Sequence, residues 1–237
     1  MALHLLLRLE APLIAFGGEA IDNLGVIRDF PALSMVTGLF ASALGWDRRE
    51  GERHNRLQQR LQMGARLDGS GLRLTDFQTA QLQASEQGWT TRGVPEGRAG
   101  GAGSYAGPHL RYRDYHADMN VLLALRLEPV QESPTLQDLA YALDRPARPL
   151  FIGRKGCLPT QRLMCGWIEA ESILAALQTA APLPQKTRAQ WPDGEGRLPH
   201  DRCLDVCDER NWISGVHGGW RPVREGILQP KQANEVV

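Results

Sequence analysis

The chain has 237 residues and a mass of 26.2 kDa, the size of one large domain or of one domain carrying an elaborate insertion. Hydrophobic residues make up 42% and charged residues 23%, enough for a real core and a globular charge balance. Lys+Arg and Asp+Glu both number 27, which excludes capture of a polyanion by bulk charge and leaves only a local patch for such a partner.

Residues 3–9, "LHLLLRL", form a near-continuous apolar run suited to the middle of a sheet. His4, Arg8 and Glu10 interrupt the apolar N-terminus, which reads as a buried strand and not as a signal peptide. A glycine-rich loop, "GGEAIDNLGVIRDFP", leads to "LSMVTGLFASALGW", a tightly packed helix with Ser34 near its start and Gly45 just past its end. "RHNRLQQRLQM" continues as a more polar helix, and "GARLD" and "GLRLTDFQTAQL" read as strands joined by a tight turn around Gly69 to Gly71.

Composition shifts at residue 84, where glycines at 88, 93, 97, 100, 101, 103 and 107 replace aliphatic periodicity. So long a structureless loop inside a domain is either functional or disordered. Its flanks, "DFQTAQL" and "LRYRDYHAD", look like two arms of an extended hairpin. A second core strand, "NVLLALRLEP", follows, then a helix in "SPTLQDLAYALD" with Ser133 as N-cap and Pro134 in first helical position. Leu150–Ile152 reads as a short strand ending at Gly153, "WIEAESILAALQTA" as a helix, and "APLPQKTRAQWPDGEGRLP" as a Pro-rich connection. Short strands and turns fill "DRCLDVCDERNWISGVHGGWRPVREG", and "QPKQANEVV" reads as a frayed end. The order predicts an α+β fold: a ferredoxin-like or RRM-like sandwich with an extended arm.

No stretch approaches the length of a transmembrane helix, so a soluble cytoplasmic protein without membrane contact is expected. The four cysteines do not make a disulfide scaffold, and the pairs Cys157/Cys165 and Cys203/Cys207 lack the C-x-x-C spacing of a zinc site. No metal, cofactor or acyl-transfer motif is present, and "GRKGC" lacks the spacing of a nucleotide loop. All cations except Lys155, Lys186 and Lys231 are arginines, whose planar forks suit phosphate and whose flat faces stack on bases; a GC-rich genome produces the same bias.

Two stretches carry the chemistry. In "LRYRDYHAD", Arg111, Tyr112, Arg113, Tyr115 and His116 interleave cations with aromatics, the mixture that clamps single-stranded RNA. A Tyr/His pair is also a candidate acid and base for RNA cleavage, and Arg113–Asp114 as an ion pair is the plainer alternative. In "RPLFIGRKGCLPTQR", Gly153 and Gly156 allow backbone amides to approach a phosphate that Arg154 and Lys155 neutralise; a solvated turn is the alternative.

"RDFPALSMVTGLFASALGW", "RYRDYHADMNVLLAL" and "RPLFIGRKGCLPTQRL" stand in the order and spacing of the CasD family, the type I-E branch of the Cas-five proteins, which are CRISPR-associated subunits of the Cascade surveillance complex. The resemblance runs from residue 3 to about 170 and more loosely through "RNWISGV". It implies an RRM-like palm at residues 1–77 and 118–237 and a β-hairpin thumb at 78–117, with a short β-rich C-terminal part. It also implies a subunit that caps the five-prime handle of the CRISPR RNA (crRNA), meets the backbone subunit through the thumb, contacts the large PAM-reading subunit, and reaches target DNA only in the assembled complex. The RNA-binding positions carried over are Ser34, Arg113, Phe151, Arg154 and Lys155, with Arg111, Tyr112 and His116 added by their chemistry. Type I-C relatives are ribonucleases with a Tyr, Lys and His set. This chain has no lysine in the thumb segment, so a non-catalytic scaffold is expected, with a metal-independent precursor-RNA endonuclease as the alternative.

Overall fold

The computed structural model describes residues 1–81, 107–181 and 186–229. The glycine-rich stretch expected at the tip of the insertion and the expected frayed C-terminus lie outside the described residues.

The first apolar run becomes β1 (Ala2–Ile14), in which Leu5, Leu7 and Leu9 enter one buried cluster while Leu6 enters another. A strand apolar on both faces belongs in the interior of a sheet. β1 accordingly lies between β5 (Met164–Ala170) and β4 (His109–Leu127), which alternates in the same way, with Val121, Leu123 and Leu125 on one side and Leu122 and Ala124 on the other. The remaining strands are β2 (Leu24–Gly25), β3 (Leu61–Ala80), β6 (Thr187–Pro192), β7 (Arg202–Cys207) and β8 (Trp220–Leu228). They form one sheet in the order β5-β1-β4-β3-β6-β8-β7, every neighbouring pair antiparallel, with the short β2 lying parallel beside β4.

Helices α1 (Leu33–Ala43), α2 (Gly51–Arg60) and α3 (Leu136–Asp144) supply residues to the larger cluster. Helix α4 (Ile173–Thr179) packs in the smaller one with Trp191 of β6. Arg66, fully buried on β3, is neutralised by Asp68 and donates to the carbonyls of Leu177 and Ala180. These carbonyls lie at the C-terminal end of α4, where the helix leaves acceptors unpaired and a cation is favoured.

The long β3–β4 pair continues well beyond β1. Between the register pairs Ser70–Met119 and Leu72–Ala117 sit Gly71 and Asp118, both with positive φ, at 64° and 54°. A Cβ on Gly71 would lie 2.6 Å from the Ala117 carbonyl oxygen, so glycine is required there. The regular pleat breaks at this point, and the two strands then run on together as far as the pair Ala80–His109.

Several local expectations change. The stretches "GARLD" and "GLRLTDFQTAQL" are one strand with a bulge between Leu67 and Gly69, not two strands about a turn, because β4 offers an unbroken partner. The polar helix stops at Arg60, and Leu61 already opens β3. Thr135 replaces Ser133 as N-cap of α3, because Thr135 and Asp138 complete a reciprocal capping box. "WIEA" ends β5, and the following helix starts only at Ile173, with the Ser172 hydroxyl accepting from the Ala175 amide at 3.1 Å. The Pro-rich connection contains β6, and Leu150–Ile152 is not a strand.

Candidate nucleic-acid interface

A cleft of about 830 Å³ opens along α1. Its walls are the loop after β1, the helix itself, the turn around residues 150–154 and the strap at residues 207–217. Four distant parts of the chain therefore meet at one place.

The turn is built from main-chain hydrogen bonds. Ala15 N donates to Ile152 O at 3.3 Å, Ile152 N to Cys157 O at 2.7 Å, and Cys157 N to Arg154 O at 2.8 Å. Ile152 and Cys157 are buried beneath it, and burial pushes the Cys157 thiol pKa up. Gly153 has φ +88°, and a Cβ there would fall onto the Ala15 carbonyl, 2.8 Å from its carbon. The apolar run therefore folds back on itself and anchors to the end of β1, which is why it forms no strand.

Arg154 is committed to structure. Its guanidinium donates to Asp114 O at 2.7 Å and to Gly25 O at 2.9 Å, and its centre lies 4.7 Å from the Tyr115 ring centroid. One side chain thus ties the turn to β2 and to β4. Asp114 is itself held below the ordinary carboxylate range, first by the hydrogen bond from Arg73 and then by that from Thr75. Lys155, next in sequence, is exposed, and Phe151 lies half-exposed on the cleft wall.

Ser34 also lines the cleft, but it is buried, and its backbone N–H is spent on Asp208 O at 3.0 Å. The preceding amide, Leu33 N, donates to Asp208 Oδ2 at 3.0 Å. The start of α1 therefore already holds a carboxylate, supplied by the strap and balanced by Arg221 through two 2.8 Å contacts. A residue far away in sequence provides the cap that α1 lacks locally.

The remaining expected positions lie on β4. Arg111 is exposed, and its side chain donates to the neighbouring Leu110 carbonyl at 2.9 Å; Arg113 Nε donates to Gln78 Oε1 at 2.8 Å. Tyr112 is exposed, with its ring 5.1 Å from Phe77, and its backbone N–H donates to Asn23 O at 2.9 Å. His116 is buried, with Nε2 2.9 Å from the Arg28 carbonyl oxygen and its ring 5.9 Å from Phe16. Four residues apart on a strand, Tyr112 and His116 are separated by about 13 Å of backbone. The arrangement does not bring them together as an acid–base pair.

The strap adds residues that the sequence reading missed: Arg210, Trp212 and His217, with Arg28 facing them from the loop after β1. The signal was present, since "RNWISGVH" interleaves cations and an aromatic just as "RYRDYH" does. The His217 pKa is lowered, first by burial and then by Arg210 and Arg28, which marks the cation density here. Among the described residues, no cluster of His, Cys, Asp and Glu is placed to hold a metal ion.

An α+β protein on one antiparallel sheet, with an arginine- and aromatic-lined cleft chemically suited to a phosphorylated planar ligand, is the class that the fold and site define. The family model described as CRISPR-associated protein (Cas_Cas5) matches residues 4–224, and the chain belongs to this Cas5 family. It is 25% identical over 188 residues to the CRISPR system Cascade subunit CasD of Escherichia coli strain K12, covering 77% of this chain and 79% of that one. A chain of a solved CRISPR RNA-guided surveillance complex superposes with a TM-score of 0.73 at 22% identity, covering 96% of this chain and 90% of the other. A crystal structure of a Cas protein gives a TM-score of 0.62 at 24% identity, covering 95% of each. At these identities the two structures bear on the fold. No helix among the described residues is long and apolar enough to cross a membrane.

Proposed function

We propose that this Cas5-family chain is a non-catalytic RNA-binding subunit of a type I-E Cascade complex, and that its cleft holds the five-prime handle of the crRNA. The cleft carries the reading: Phe151 offers a stacking face while Arg28 and Arg210 supply positive charge, with the His217 imidazole beside them. Single-stranded RNA is gripped by this combination of base stacking and phosphate neutralisation. The E. coli relative named as a Cascade subunit supports the choice of complex.

In this reading the run β1-α1-α2-β3-β4-α3-β5, with sheet order β5-β1-β4-β3, is a ferredoxin-like palm. The outer parts of β3 and β4 are the arms of a thumb. Phe77 and Tyr112, both exposed and in tilted ring contact across the strands, with Leu24 exposed beside them, give this thumb an apolar face for the backbone subunit. The large subunit and, through the complex, target DNA complete the partners, in the cytoplasm. No cofactor takes part. The separation of Tyr112 from His116, whose Nε2 faces a backbone carbonyl, disfavours the endonuclease alternative.

The test is binding of a single-stranded RNA from the cognate CRISPR repeat to the purified chain, followed by anisotropy across a salt series. Lys155→Ala is expected to weaken binding about fivefold and to reduce the slope of log K against log salt by about 0.7, the value for one phosphate contact on a single strand. Precursor RNA should stay intact throughout. Site-specific cleavage lost in His116→Ala would replace this reading with the enzyme.

A further inference from the structure

We infer that the strap at residues 207–217 is a phosphate clamp, in which Arg210, supported by Arg28 and His217, binds one backbone phosphate of the RNA. The inference rests on the RNA-binding reading above and assigns a contact within it.

The strap is held rigidly in place. Gln58 of α2 donates to Arg210 O at 3.1 Å and accepts from Trp212 Nε1 at 3.0 Å, while Asn55 accepts from Trp212 N at 2.8 Å. His54 packs under the indole with ring centroids 4.8 Å apart. Asn211 closes the loop, its side-chain oxygen accepting from the amides of Ile213 and Ser214, both at 3.0 Å. This much order lowers the entropy cost of presenting a binding group.

What the strap presents is an incomplete arginine. The Arg210 guanidinium lies over the Trp212 ring, 5.2 Å from its centroid. Its Nε is buried, and among the described residues it has no hydrogen-bond acceptor and no carboxylate lies within ion-pair distance of the guanidinium. Most arginines elsewhere in the structure that are comparably enclosed have found acceptors: Arg66 has Asp68, Arg224 has Asp193 and Asp201, and Arg221 has Asp208. A half-buried charge with an unmet donor is costly unless something anionic completes it. Burial lowers the Arg210 pKa, with Arg48 adding to the effect. His217 pairs with the Arg210 backbone across an antiparallel bridge, and Arg28 reaches the same cleft. Glu19 contacts Arg28 at 3.5 Å but is largely exposed, and Asp208 is already balanced by Arg221. A phosphate oxygen reaching the guanidinium from the cleft suits this charge better than a further protein carboxylate, because Phe151 offers a base a stacking face in the same cleft.

The experiment uses the full chain and a repeat-derived single-stranded RNA in which each phosphate in turn is replaced by an uncharged methylphosphonate. Arg210→Gln is expected to weaken binding of the natural RNA about tenfold or more, as loss of a charge-assisted hydrogen bond does. One linkage should exist whose methylphosphonate weakens the wild-type chain by a similar factor and leaves Arg210→Gln unchanged. Arg28→Gln should show a reduced methylphosphonate penalty at that same linkage, which covers the case in which Arg210→Gln folds poorly. Arg202→Gln, which removes an exposed charge at the far end of β7, should retain the full methylphosphonate penalty. Absence of any such linkage in RNA that the wild-type chain binds would overturn the clamp alone. Failure of the wild-type chain to bind RNA would overturn the clamp together with the reading beneath it. Intact RNA binding by Arg210→Gln with failed complex assembly would assign the guanidinium to a protein partner and overturn the clamp as well.

Discussion

Gly153→Val is expected to lower the melting temperature by about 6–12 °C and to abolish RNA binding by the purified chain. Positive φ at a β-branched residue costs about 1–3 kcal/mol by itself. The Cβ would also be driven onto the Ala15 carbonyl, so the turn must leave the end of β1. About 3 kcal/mol in a chain of this size corresponds to the predicted shift in a calorimetric scan. Moving the turn withdraws Arg154 from Asp114 O and Gly25 O and displaces Phe151 from the cleft wall. A mutant that melts like the wild type would show that the turn tolerates a side chain and that its geometry is wrongly assigned.

Asp208→Ala is the second large effect, with an expected loss of about 3–5 kcal/mol. It leaves Arg221 without the partner of a pair in which the two side chains are only 4% and 14% exposed, and breaking such pairs carries that cost. It also uncaps α1, because Leu33 N loses its side-chain acceptor. Asp208→Asn separates the two effects. The amide oxygen can still accept from Leu33 N, so urea denaturation should place this variant between the wild type and Asp208→Ala. Equal stability of all three proteins would contradict the role assigned to Asp208.

The central sheet was legible because its strands carry their burial in their own sequence. "LHLLLRL" and "NVLLALRL" are apolar on both faces, and the structure places both in the sheet interior. β5 was hidden differently. "MCGWIEA" alternates in burial along the strand, but its apolar residues run straight into those of α4 and read as one helix. β6 was masked by the prolines around it, although Ala189 and Trp191 alternate toward the core.

The candidate site was only half legible, for a physical reason. Motif reading found "FIGRKG" and the start of α1, both of which do line the cleft. It could not see that Arg154 is spent on two backbone carbonyls or that the helix start is filled from residue 208, because both depend on contacts distant in sequence. Nor did it weigh the strap, whose Arg210 and Trp212 gain their placement from Gln58 and Asn55 on α2. Charge and aromaticity were visible in sequence; which cations remain free to meet a ligand was not.

The central claim is that RNA lies in this cleft, and photo-crosslinking tests it most directly. Repeat-derived RNA carrying 4-thiouridine should crosslink to peptides from the loop after β1, the turn containing Phe151 and the strap containing Trp212, as read by mass spectrometry. Crosslinks confined to α4 and the opposite face of the sheet, or an RNA that leaves all three peptides unmodified, would contradict it.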